Sequence, residues 1–152
     1  MPSFETKYFD TISYDPDSVV EFPSGLPGFD QRRRFVALQF PDSQPLVFLQ
    51  NLEDPELCFL TLPVLTIDPH YQLRVTAEDR AVIGLPPGGP VRIAQDVLCL
   101  VVLSLRENGP TANLLAPVVV NLRNRKGVQA VAADSGYSHQ HVLLPEGVPV
   151  CS

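Results

Sequence analysis

Sixteen prolines are spread along 152 residues, roughly twice the usual share of about 5%. Each proline fixes its own φ and removes an amide donor, so it ends or kinks a helix and is confined to the edges and ends of strands. A chain punctuated this often is left with many short strands and fixed turns, and has little room for long helices. The chain is nevertheless 45% hydrophobic and only 18% charged, which is a globular and not a disordered composition. Its length suits one domain with a sizeable core.

Between the prolines the pattern is that of an antiparallel meander. Ser3 to Phe9 alternates, with Phe4, Thr6 and Tyr8 on one side and Glu5 and Lys7 on the other, a period of two. Ser18–Phe22, Phe35–Phe40, Leu46–Leu52 and Leu57–Leu62 read as further strands, with Gln72–Val75 as a possible one. Thr76 to Leu85 is the best helix: Thr76 caps it, Asp79 lies at capping-box spacing, and Gly84 with Pro86 stops it. Asp96 to Leu105 is the most apolar run and reads as a central strand. Thr111 to Gln129 then reads as a hairpin. Pro117 opens a strand, Val118–Val120 are stiff β-branched residues, and Asn121–Gly127 is a basic turn with Gly127 free to take positive φ. These elements predict a mainly β, antiparallel single domain with one short helix around 76–85. Its bounds are 1–144, followed by a loosely held tail, 145–152.

The net charge is −6 and the pI near 4.9. Nucleic-acid binding is driven by clustered cations, so this balance disfavours it unless one face is basic, and favours a basic protein partner. Two basic clusters stand out, Arg32–Arg34 and Arg123–Lys126, holding six of the eleven Lys and Arg. They support an alternative reading as an RNA-binding β module, although no aromatic residues interleave them for base stacking.

Catalytic and metal signatures are weak. Asp134, Ser135 and His139 have triad composition, yet no G-x-S-x-G turn presents the serine. His139 and His141 flank one residue but lack the further ligands that zinc requires. Gly25, Gly28 and the Pro86–Pro90 loop form no phosphate-binding motif. No enzyme activity, cofactor or metal is expected. Cys58 and Cys99 lie in apolar runs and, with Cys151, read as thiols rather than a disulfide framework. The N-terminus lacks the basic start and apolar core of a signal peptide, and no run approaches the ~20 apolar residues of a membrane span. The expectation is a cytoplasmic soluble protein.

Several segments together resemble the FliW family of bacterial flagellar assembly factors. They are Phe4-Glu5-Thr6-Lys7-Tyr8-Phe9, the Phe22-Pro23-x-Gly25-Leu26-Pro27-Gly28-Phe29 loop, Arg34-Phe35-Val36, Asp54-Pro55-Glu56-Leu57, Thr111 through Asn121, and Arg125-x-Gly127-x-Gln129. The resemblance implies a compact β-barrel-like domain without enzymatic activity. It also implies a cytoplasmic protein that binds flagellin and binds CsrA, the translational repressor of flagellin messenger RNA, with no direct contact to nucleic acid or membrane. Leu26, Pro27 and Phe29 are expected to plug one barrel end. Tyr71, Asn121, Arg123, Arg125 and Phe29 are chosen as partner contacts on expected exposure. The Arg32–Arg34 triplet, the Pro86–Pro90 loop, the tail and the weakly matching Asp68–Val75 segment depart from the family pattern.

Overall fold

The computed structural model describes residues 2–107, 109–131 and 135–143. The tail expected at 145–152, Asp134 and Cys151 lie outside the described residues. The strands are β1 (Ser3–Thr6), β2 (Asp10–Ser13), β3 (Val19–Glu21), β4 (Arg34–Leu38), β5 (Val47–Asn51), β6 (Cys58–Pro63), β7 (Val97–Arg106), β8 (Gly109–Ala112), β9 (Val118–Asn121), β10 (Gly127–Gln129) and β11 (His141–Val142), with one helix, α1 (Ala77–Ile83). The main sheet runs β10-β9-β7-β6-β5-β4-β3, every pair antiparallel, and β8 joins it beside β7 and carries β11. Its two ends meet at one parallel bridge, Glu21 to Lys126, where the Glu21 amide donates to the Arg125 carbonyl at 3.0 Å. The sheet is therefore barrel-like but not closed by a continuous ladder.

The unbroken apolar runs follow from burial on both faces, which removes the alternation of a half-exposed strand. On β7, Val97, Cys99 and Val101 enter one cluster with Val64, Tyr71, Ile83 and Val119. Leu98, Leu100 and Val102 face a second cluster, with Phe22, Phe35, Leu49, Val118 and Val120, inside the curl of the sheet. Burying a side chain of this size contributes about 1.5–3 kcal/mol. A third cluster seats the β1–β2 hairpin: Ile12 packs with Val36 and Leu52, flanked by Phe4 and Phe9.

Local chemistry explains where the structure departs from the sequence reading. The strand expected over Ser3–Phe9 stops at Thr6. The Thr6 hydroxyl accepts from the Phe9 amide at 2.8 Å and donates to the Asp10 carbonyl at 2.9 Å, and Asp10 takes φ 54°. The chain folds back as β2, which periodicity did not reveal. Gln72–Val75 forms no strand, because side chains take its backbone groups: the Gln72 amide donates to the Tyr137 hydroxyl and Arg80 Nε donates to the Val75 carbonyl. The helix begins and ends as its caps require. The Asp79 amide donates to the Thr76 hydroxyl at 3.1 Å, and Gly84 adopts the left-handed conformation with φ 77°. In the β9–β10 turn it is Arg125, at φ 61°, that takes the positive φ expected of Gly127. Gly127 is required for a different reason: a Cβ there would lie 2.8 Å from Phe22 Cε2.

Candidate partner-binding site

The two segments most distinctive in sequence meet at one end of the curled sheet. In the first, Gly25 takes φ 72° and a Cβ on it would come within 2.7 Å of Asp30 Cα, so the tight loop needs glycine. The Phe29 amide donates to the Leu26 carbonyl at 2.8 Å. Leu26 is buried, and the half-buried Phe29 ring packs edge-on against Phe59 with centroids 5.5 Å apart. Of the three residues expected to plug the sheet end, Leu26 is buried in the core, Phe29 is half-buried and Pro27 is exposed, so the loop covers that end only in part.

In the second segment, Asn113 Oδ1 accepts from the Leu115 and Ala116 amides at 3.1 and 3.0 Å. That turn redirects the chain into β9, and Gln129 Nε2 braces it by donating to the Ala116 carbonyl at 3.0 Å. Between the segments lies a cleft of about 250 Å³, lined by Leu26, Phe29, Phe59, Asn113, Gln129 and the exposed His139 among others. Its lining combines aromatic and aliphatic side chains with amide, hydroxyl and imidazole groups. Such a cleft can seat an apolar side chain of a partner while its polar groups bond to the partner's backbone. The sequence marks Phe59 only as a bulky aromatic within an apolar strand.

The expected exposure of two contact candidates fails. Tyr71 is 7% exposed, stacks on Tyr137 at 4.4 Å, and donates its hydroxyl to the Leu114 carbonyl at 2.6 Å. Burial, with smaller contributions from Cys99, Tyr137 and Asp68, pushes its pKa up. Tyr71 therefore fastens the Leu114 turn from inside. Asn121 is 2% exposed. Its Nδ2 donates to the Ile83 carbonyl at 2.8 Å and its Oδ1 accepts from the Arg123 amide at 2.9 Å. Asn124 Nδ2 donates to the same Ile83 carbonyl at 3.0 Å. The hairpin tip is thus docked on the C-terminal end of α1, where helix carbonyls lack intrahelical donors. Arg123 remains exposed and Arg125 half-buried.

The fold also brings the two basic clusters together. Arg34 is the cross-strand partner of Glu21, and Glu21 bridges to Lys126. Arg32 is taken up by Asp54, at 3.0 Å. The Glu56 amide and the Arg32 guanidinium hold the Asp54 carboxyl below the usual carboxylate range. The Ser135 hydroxyl accepts from the Tyr137 amide at 3.2 Å, a turn role unrelated to His139. Cys58 and Cys99 are free thiols, pushed by burial up to about 11 and about 12. Among the described residues no helix is long and apolar enough to cross a membrane.

A family model described as FliW protein matches residues 3–143. The chain belongs to the FliW family. A protein of Geobacillus sp. (strain WCH70) named flagellar assembly factor FliW is 34% identical over 145 residues, covering 94% of this chain and 96% of that protein. One of the same name from Clostridium novyi (strain NT) is 30% identical over 146 residues, covering 95% and 98%. A crystal structure titled as that of the flagellar assembly factor FliW superposes with a TM-score of 0.81 at 30% identity, over 95% of this chain and 99% of that one. The mainly β, antiparallel, barrel-like fold with one short helix is therefore a FliW fold, and the resemblance read from the motifs holds along nearly the whole chain.

Proposed function

We propose that this FliW-family chain is a non-enzymatic regulatory protein of the cytoplasm that binds flagellin and a CsrA-type translational repressor. Flagellin leaving the cell frees it to bind the repressor, and binding relieves repression of flagellin translation. One observation carries the reading: the Gly25–Phe29 loop and the Thr111–Pro117 turn, the most distinctive parts of the family resemblance, fold into the walls of one cleft. Of the contact candidates chosen from the sequence, Phe29 lines the cleft, whereas Arg123 and Arg125 lie outside it on the β9–β10 tip. Tyr71 and Asn121 act through the fold they hold.

Calorimetric titration of the purified protein with flagellin, and separately with the repressor, tests the proposal. Saturable binding to each at micromolar concentration is expected. Silence with both partners would overturn it.

A further inference from the structure

The barrel seam carries a second set of exposed side chains, none of which lines the cleft. Arg33 precedes β4 and Arg34 opens it, and Arg123, Arg125 and Lys126 lie in the β9–β10 turn. The Phe22 amide donates to the Arg33 carbonyl at 2.8 Å, and the Glu21 amide to the Arg125 carbonyl at 3.0 Å. Both basic segments thereby flank the end of β3. Arg34 and Lys126 lie on either side of Glu21 in the pairing order, so their backbones are about two strand spacings, ~10 Å, apart. That exceeds a Debye length of roughly 8 Å at physiological salt, so the fields of these cations overlap only in part, and more as salt falls.

Arg33, Arg34, Arg123 and Lys126 are exposed and Arg125 is half-buried. Among the described residues none of the five has a carboxylate within 4.0 Å of its cationic nitrogens. Glu21 sits in the row, and Glu53 spends its Oε1 on the Arg33 and Arg34 amides at 2.8 and 3.1 Å. The seam is thus cationic on a chain with 17 acids and 11 Lys and Arg. Arg125 is held in the left-handed region at φ 61°, a conformation that costs a non-glycine residue about 1 kcal/mol or more.

We propose that this seam docks an acidic, extended segment of a partner polypeptide. The size of the row suits a few carboxylates rather than a long phosphate backbone. The apolar aromatics beneath it, Phe22 and Phe35, are fully buried and offer no platform for stacking bases, which single-stranded RNA binders use. Carboxylates laid along the row pair with Arg34 and Lys126 on either side of Glu21, and an extended segment can continue over the tip to the exposed Arg123, which faces a hollow shared with Asp96. Such a contact sets encounter rate and partner choice more than total affinity.

The full chain is titrated with fluorescent oligoglutamate, oligoglutamine and oligouridylate, each at low and at raised salt. Oligoglutamate should bind best, weaken as salt rises, and lose about tenfold in affinity with the combined Arg34→Gln, Arg123→Gln and Lys126→Gln changes. Arg74→Gln, at an exposed cation before α1 and outside the seam segments, should change little. Glu21→Gln removes the carboxylate inside the row and should tighten binding by about threefold, a gain that misfolding cannot mimic. Oligoglutamate binding no better than oligoglutamine, or equal loss with Arg74→Gln, overturns the proposal. Tighter binding of oligouridylate also overturns it and assigns the seam to nucleic acid. Because these probes contain neither flagellin nor the repressor, failure here leaves the cleft titrations unaffected.

Discussion

Gly127 shows how one atom can fix a whole turn. Its backbone runs beneath the Phe22 ring so closely that a Cβ would overlap Cε2 at 2.8 Å, and Phe22 has nowhere to move, being fully buried against Phe35. Gly127→Ala should destabilise the protein by about 1–3 kcal/mol in chemical denaturation. Gly88→Ala, where nothing lies within 4 Å, should be neutral within error. Cys99 gives a second prediction at this scale. Burial raises its folded pKa to about 12 from a reference value of 9.0. On unfolding above pH 9 the thiol therefore releases its proton, the unfolded state binds fewer protons, and stability falls as pH rises from about 9 to about 12. Tyr71, also raised by burial, adds to the same decline. Stability measured against pH should show this alkaline loss, and Cys99→Ala should make it shallower even as the cavity lowers stability throughout.

At the scale of elements, α1 is a seven-residue helix, too short to stand alone in water. It persists because both ends are tied: Thr76 holds the Asp79 amide, and Asn121 and Asn124 converge on the Ile83 carbonyl. Asn121→Ala should cost about 1–3 kcal/mol, since it removes the buried one of two donors to the Ile83 carbonyl and leaves the Arg123 amide without its acceptor. Asn124→Ala, whose Ile83 contact is duplicated, should cost less. Hydrogen exchange should show the α1 amides opening faster in both. The helix was legible because its caps are local in sequence, and so were the meander strands, β7 and the β9–β10 hairpin. The β1–β2 hairpin was not, since a threonine hydroxyl turns the chain with no glycine to mark it. Nor were β8 and β11, where two residues of β11, His141–Val142, pair with Thr111–Ala112. The docking of Asn121 under α1 spans 38 residues, beyond any periodicity, so a residue that reads as an exposed polar tip is a buried brace.

At the scale of the molecule, the seam and the cleft are separate surfaces of one sheet. The cleft lies between the Gly25–Phe29 loop and the Asn113 turn, whereas the seam lies where β3 meets the β9–β10 tip. The motifs were visible in sequence as an ordered set, but their convergence was not, because it depends on the sheet curling until its edges meet. The seam residues line no part of the cleft, and sites without shared partners contribute additively, so the two surfaces are separable by substitution. Ser104 is exposed on the cleft wall, and tyrosine is well tolerated on a strand. Ser104→Tyr should fill the cleft and weaken binding of a protein partner seated there by about tenfold or more, while leaving oligoglutamate binding at the seam intact. The triple glutamine change at Arg34, Arg123 and Lys126 should do the reverse for a partner lacking an acidic segment. For a partner using both surfaces, the combined variant should lose the product of the two separate factors. A combined loss no greater than the larger single one would mean that cleft and seam act as a single interface.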